Sequence, residues 1–417
     1  MTDAPAPPRP VLLLSGGPVT EPIWPLLAET YDLAFLYPQA AQQAQAQGLP
    51  AAAIGSVMDG AAQESAANDA LKLTARVVNA LPQISGRFGA EYGPSSPSAL
   101  TAGVENWFGG YAHQMITLQV GILAGLDKLA QTDRRIAGCV THEDVSADTR
   151  AMVNWCNARS IPTIHVPHAP CHLLPGVRDI HGQTRAQWIA ASGQAVAEFY
   201  TARGHDPARI VITGGPQYDV MYGPRPDKAE ARRVLGIAND DSENTAPVML
   251  YFTTWGQTTS LRGGFEHEFT AGWQAVLAEA KRRGAYLCVK IHWHDNRAGV
   301  EERYEKDLAA AGVPGLVTRS HLLYVLAAAD VLVAQGPSNI CLEAAMAGVP
   351  SCYLVTDGFD FATPLPYRGC PETIGDAIGQ ALGEPADWDG FVAAYNAVHP
   401  HGGAAENVVE MVRRVCR

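Results

Sequence analysis

The stretch VKIHWHDN, residues 289–296, sets Lys290, His292 and His294 on one face of a strand, because strand side chains alternate with a period of two. A cation and two imidazoles gathered at a strand tip suit the oxygens of a phosphate, and the same His-x-His spacing also suits a metal ion. No later run of Asp or His completes a ligand set, so phosphate is favoured and no metal site is assigned. A second stretch, VLVAQGPSNICLEAAMAGVP at 331–350, carries a different chemistry. Its apolar strand ends at Ala334 and runs through Gly336, Pro337, Ser338 and Asn339 into an Ala-rich helix holding one acid, Glu343, with Gly348 and Pro350 as the stop. Ser338 is the predicted N-cap, so backbone N–H groups would point from the turn towards an anion above the sheet. An exposed helix start favours an anion by about 0.3–1 kcal/mol. A third cradle is SGGP at 15–18, where Ser15, Gly16 and Gly17 follow an apolar strand and could hold an acceptor or a phosphate. Any tight strand-to-helix turn also wants glycine, so that pair alone is weak evidence.

The elements that must position these residues alternate between strand-like and helix-like along the chain, which predicts α/β architecture with parallel sheets. VLLLSGG, DLAFLYP, IAGCVTHED, IPTIHVPHAP, AQWIAAS and RIVITGGPQYD each read as a strand running into a polar or Gly/Pro loop. Residues 60–130 are largely helical and Ala-rich, interrupted by GAEYGPSSPSALTAG at 89–103, read as a loop or flap. After a proline-rich hinge and a polar loop at 222–247, a second series opens with VMLYFTTWG and continues through AYLCVKIHWHD, GLVTR, DVLVAQG and PSCYLV. Two such halves leave a cleft between the carboxyl ends of their sheets, where open α/β sheets bind ligands.

A chain of 417 residues is too long for one ordinary core, and 47% hydrophobic residues supply enough apolar surface for two. A net charge of -12 argues against a broad electrostatic grip on nucleic acid or an acidic membrane. No apolar run reaches the ~18–20 residues of a membrane span, and MTDAPAPPRP lacks the charged and apolar regions of a secretion signal. Eight cysteines are scattered without a CxxC pair, several inside apolar segments, as expected of buried thiols in a reducing cytoplasm. The expectation is therefore a cytoplasmic protein with no integral membrane contact.

The order of VMLYFTTWG, YLCVKIHWHD, LLYVLAAADVLVAQGPSNICLEAAMAGVPSCYLV and HGGAAENVVEMV resembles the C-terminal half of glycosyltransferases with the two-Rossmann-domain GT-B fold. The likeness is strongest to the CDP-glycerol glycerophosphotransferase and capsule-polymer transferase branch, and it spans roughly residues 136–417. It implies that Lys290 and His292 face nucleotide phosphates, that Ser338 and Asn339 lie where a helix start receives a phosphate, and that Thr253, Thr254 and Trp255 form the opposite turn. It also implies that Glu343 holds the ribose hydroxyls, a role a two-oxygen acceptor suits. Two departures stand out: Trp293 replaces a usual proline, and Gly336-Pro337-Ser338-Asn339 replaces Asp-Tyr-Ser-Ser, which leans the donor towards UDP-sugars.

Metal-free transfer with inversion needs a base from the first domain. His168 in HVPHAP falls where the family has a histidine before glycine, and Glu143 and Asp144 in THED sit at a neighbouring strand tip. His165, His168 and His172 are too irregularly spaced among prolines for a metal site.

The expected fold is two Rossmann-like domains facing each other across a cleft: an acceptor domain over 1–225, a nucleotide-donor domain over 226–390, and a C-terminal helix over 391–417 packing back on the first. The expected activity is transfer of a sugar from a nucleotide-sugar co-substrate, without prosthetic group or metal, to an acceptor hydroxyl. That acceptor is a glycan, a lipid-linked glycan, a small molecule or, less favoured, a hydroxylated nucleic-acid base. Alternatives are a CDP-glycerol-type transferase, a UDP-sugar 2-epimerase-like isomerase and a metal-dependent hydrolase using His292 and His294.

Overall fold

The structure is a computed structural model that describes residues 8–92, 97–144, 146–168, 183–237, 246–253, 266–292, 295, 298–335, 338–355, 367–383, 387–397 and 403–417. Side chains are described outside 81–112 and 266–269. Of the sequence-derived site residues, Thr254, Trp255, His294, Gly336 and Pro337 lie outside this set, as does His172.

Two all-parallel sheets organise the chain. The first comprises β1 (Val11–Leu14), β2 (Asp32–Phe35), β3 (Ala51–Ala53), β4 (Ile136–Thr141), β5 (Thr163–His165), β6 (Trp188–Ala191) and β7 (Ile210–Ile212). Its spatial order is β3-β2-β1-β4-β5-β6-β7. The second comprises β8 (Val248–Phe252), β9 (Tyr286–Lys290), β10 (Gly315–Thr318), β11 (Val331–Ala334), β12 (Ser351–Leu354) and β13 (Arg368–Gly369), ordered β10-β9-β8-β11-β12-β13. The strand order reverses between β1 and β4 in one sheet and between β8 and β11 in the other, so each lobe has its own switch point.

The central strands VLLL and VLVA are buried at every position, which is why they read as unbroken apolar runs and not as alternating ones. Two core layers flank each sheet. Leu12 and Leu14 of β1 face a layer with Trp24 and Phe35, whereas Leu13 faces Met152 and Leu126. In the second lobe Leu250 and Leu332 pack with Leu342, and Met249 and Val333 with Trp273.

Three further features differ from, or add to, the sequence reading. The stretch expected as a loop over 89–103 is mostly helix: α3 (Gly60–Tyr92) and α4 (Pro97–Ala130) form a long antiparallel pair, with residues 93–96 between them outside the described set. The short strands β3 and β13 carry too little apolar pattern to be read from sequence. Finally, the chain crosses between lobes twice, and the crossings are bonded to each other. Asn396 accepts from the Gly215 N–H at 2.8 Å and donates to the Tyr222 hydroxyl at 3.3 Å. The Asp219 carboxylate accepts the first N–H groups of α14 (Ala404–Val415), from Ala404 at 3.1 Å and Ala405 at 2.8 Å. That helix buries Val408 and Val412 in the core of the first lobe, while Tyr218 and Met221 lie in the core of the second.

Candidate functional site

At the first switch point, Ser15 directly follows β1 and His142 directly follows β4. Ser15 is wholly buried, and its Oγ accepts the backbone N–H of His142 at 3.1 Å while lying 2.9 Å from that residue's Nδ1. The His142 ring rests on Gly17, where a Cβ would stand 2.9 Å from ring Cε1; with φ at +95° the position suits glycine twice over. Burial, and then the neighbouring His168, lower the His142 pKa to about 4, so the ring is neutral near neutral pH. The His168 ring meets it edge-on at 5.8 Å between centroids, with Nδ1 3.3 Å from the His142 carbonyl oxygen. Burial lowers the pKa of His168 as well.

The two acids of THED are occupied differently. Glu143 reaches over the start of α5 (Ala147–Ala158), accepting from the Ser146 hydroxyl, from the Ser146 N–H at 3.3 Å and from the Thr149 hydroxyl at 3.0 Å. Asp144 is buried, and its carboxylate accepts from the Thr184 hydroxyl at 2.8 Å and from the Arg185 backbone N–H. Its oxygens tie one loop of the first lobe to another, because a buried carboxylate must be paired. The arrangement leaves His168, with His142 beside it, as the imidazole pair at this switch point.

In the second lobe Thr253 is buried after β8, its hydroxyl accepting the His292 backbone N–H at 2.8 Å. This bond holds the segment beyond β9, which ends as a strand at Lys290, so His292 lies past the strand on which it was expected. Lys290 is the last residue of β9. Its ammonium donates to the carbonyls of Ile291 at 3.4 Å and Arg319 at 3.3 Å, on the β10 side of β9. Burial and then Arg319 hold its pKa below the usual lysine value.

The helix after β11 is α11 (Ile340–Met346), and its N-cap is Asn339 in place of the expected Ser338. Asn339 has helical backbone angles and its side chain does not cap; the amide instead crosses between lobes, Nδ2 donating to the backbone carbonyl of His168 at 2.7 Å. Ser338 contributes a carbonyl that accepts the Cys341 N–H at 3.1 Å. Glu343 lies four residues after Asn339, on the same helical face. Its residue is half-buried, and among the described residues no hydrogen bond or ion pair meets its carboxyl group. The protein packed around that group raises its pKa to about 7. The helix closes at Gly348, φ +74°, the left-handed stop that the sequence signalled.

Sequence reasoning passed over His142 and the cross-lobe amide of Asn339. His142 could have been found from position alone, since it directly follows the apolar run of β4, opposite the residue that directly follows β1. Among the described residues no group of three His, Cys, Asp or Glu side chains could hold a metal ion, and no helix is long and apolar enough to cross a membrane.

No family model and no curated protein sequence matches the chain. Among solved structures it is similar to UDP-GlcNAc 2-epimerase from Neisseria meningitidis bound to UDP-GlcNAc, with a TM-score of 0.59 and 13% identity over 97% of this chain and 99% of that one. It is similar also to the Methanocaldococcus jannaschii UDP-GlcNAc 2-epimerase in complex with UDP-GlcNAc and UDP, at a TM-score of 0.57 and 11% identity over 98% and 100% of the two chains. The wall teichoic acid polymerase TagF (H548A) gives 0.51 and 12% identity, covering 98% of this chain and 89% of that one. At such identities the likeness is one of fold, and together with the two parallel sheets it establishes a two-domain α/β protein of the GT-B type.

Proposed function

We propose that the chain is an enzyme that binds a nucleotide-sugar of the UDP class between its lobes and transfers the glycosyl group to an acceptor hydroxyl. The observation that carries this reading is Glu343: a carboxylate without a protein partner among the described residues, one turn along α11 from the residue that touches the opposite lobe. A vicinal diol such as a ribose offers two hydroxyl donors to one carboxylate and would supply the missing partners. Thr253 after β8 and Ser338 ahead of α11, at the second switch point, would receive the diphosphate together with His292 after β9. His168 would take the proton from the acceptor hydroxyl, and approach of the lobes would exclude the water that otherwise consumes the activated sugar.

A second reading is favoured by the solved structures of similar fold, several of which are named as UDP-GlcNAc 2-epimerases. On that reading the same nucleotide grip serves isomerisation of the sugar with no acceptor. The TagF likeness likewise keeps a polymer-forming transferase in view.

A thermal-shift panel of UDP, CDP, GDP and ADP with their sugars tests the shared part. A ligand at 100 times its Kd stabilises the fold by about 2.7 kcal/mol, enough to rank the bases. Absence of any nucleotide-dependent shift would sink both readings. Incubation with UDP-GlcNAc alone then separates them: an isomerised UDP-sugar without acceptor marks the epimerase, and slow release of UDP that an acceptor accelerates marks the transferase.

A further inference from the structure

A histidine that removes a proton must keep its lone pair on the nitrogen that faces the substrate, and a chain of contacts in the first lobe determines which nitrogen that is. Ser15 holds His142 at two points, accepting its backbone N–H at 3.1 Å and meeting its Nδ1 at 2.9 Å. The bare Cα of Gly17 admits the ring. With backbone and ring both held, the carbonyl of His142 is fixed in place, 3.3 Å from Nδ1 of His168. A carbonyl oxygen can only accept, so this contact puts a proton on Nδ1 of His168 and leaves the lone pair of the neutral ring on Nε2. From the second lobe, Asn339 Nδ2 donates to the His168 carbonyl at 2.7 Å. His168 is thereby held by its ring from one lobe and by its backbone from the other.

We infer that Ser15 and His142 are positioning residues that set the tautomer of His168, with Asn339 as its anchor in the opposite lobe. The inference rests on the transferase reading for the role of His168 as base, whereas the tautomer follows from the contacts alone. Among the described residues Glu143 acts on both rings, Asp148 and the His168 ring act on His142, and the His142 backbone acts on His168.

The test uses the full chain labelled with ¹⁵N-histidine and two-bond ¹H–¹⁵N spectra near neutral pH, with His142→Gln and His168→Gln to assign the rings. The expected result is a neutral His168 with its proton on Nδ1. In Ser15→Ala the two well-separated ring nitrogen resonances of His168 should move towards each other as the tautomers begin to exchange. A wild-type His168 protonated on Nε2 would overturn the inference, as would a Ser15→Ala spectrum unchanged at His168. Should Ser15→Ala not fold, Gly17→Ala disturbs the same ring from its other side, and the assigned wild-type spectrum decides the tautomer without Ser15→Ala. UDP binding by the wild type is measured separately, so failure of the functional reading would leave the tautomer result standing and the two failures are distinguishable.

Discussion

At the carboxyl end of the first sheet the polar side chains are bonded within the lobe: Ser15 to His142, His168 to the His142 backbone carbonyl, Glu143 to Ser146 and Thr149, Asp144 to Thr184. At the matching end of the second sheet, Thr253 is spent on a backbone N–H and Lys290 on two carbonyls, while Glu343 stands without a partner among the described residues. Both lobes are built on the same strand order around the switch point, so the contrast does not come from topology. It comes from what each lobe must do with charge. A satisfied network costs little on burial and holds its members in one geometry, which suits a group that must meet a substrate at a defined angle. An enclosed carboxylate with no donor is costly, and its pKa climbs until the cost falls, unless a ligand arrives to supply the hydrogen bonds.

The largest effect that would sharpen this contrast is on turnover. His168→Ala should slow transfer by about 10²–10⁴-fold, the usual worth of a general base, while UDP still binds. Retention of full rate would move the base elsewhere and leave the first lobe's network purely structural. Next comes the second lobe: Glu343→Ala should weaken UDP binding by roughly 10–100-fold, from the loss of hydrogen bonds to a charged group worth about 1.5–3 kcal/mol, as measured by titration calorimetry. Unaltered affinity would remove Glu343 from the nucleotide grip.

The same residue makes a prediction in pH. Its pKa is raised from 4.5 to about 7 in the folded chain, so its favourable contribution is complete below the unfolded value and disappears as pH rises through about 7. Compared with Glu343→Gln, the unliganded wild type should therefore lose stability over that window, read as a falling urea midpoint. Parallel pH profiles for the two proteins would mean the carboxyl group is not enclosed.

Gly17→Ala should cost about 1–2 kcal/mol from a side chain at positive φ, before any displacement of the His142 ring is counted. The smallest effect is at the contact between lobes. Asn339→Ala removes the hydrogen bond to the His168 carbonyl, which should cost about 0.5–1.5 kcal/mol in denaturant unfolding; no loss at all would show that the lobes do not hold this contact in solution.

How far the site could be read in advance depended on whether a feature was local. The strand ends were legible because buried parallel strands are unbroken apolar runs; the turn after β1 and the stop of α11 were legible because Gly16, Gly17 and Gly348 occupy backbone angles that other residues avoid. Glu343 stood out as a lone acid in an apolar helix. By contrast, SGGP and THED are separated by more than a hundred residues, and nothing in either segment announces that Ser15 meets His142 at both its backbone N–H and its ring. Asp144 and Lys290 were legible as polar groups at strand tips, but their partners, Thr184 and the Arg319 carbonyl, come from other loops and no local pattern announces them.

The sequence by itself determined the alternation of elements, the two-sheet architecture and the short set of polar residues that follow the strands, because hydrophobic periodicity and backbone permissiveness are properties of neighbouring residues. Tertiary structure alone decided which of those residues are spent and which are not. Hydrogen-bond partners at Ser15, His142, His168 and Asn339 are brought together only when β1 lies against β4 and one lobe meets the other. Glu343 owes its raised pKa to the same cause, since burial is conferred by the surrounding fold.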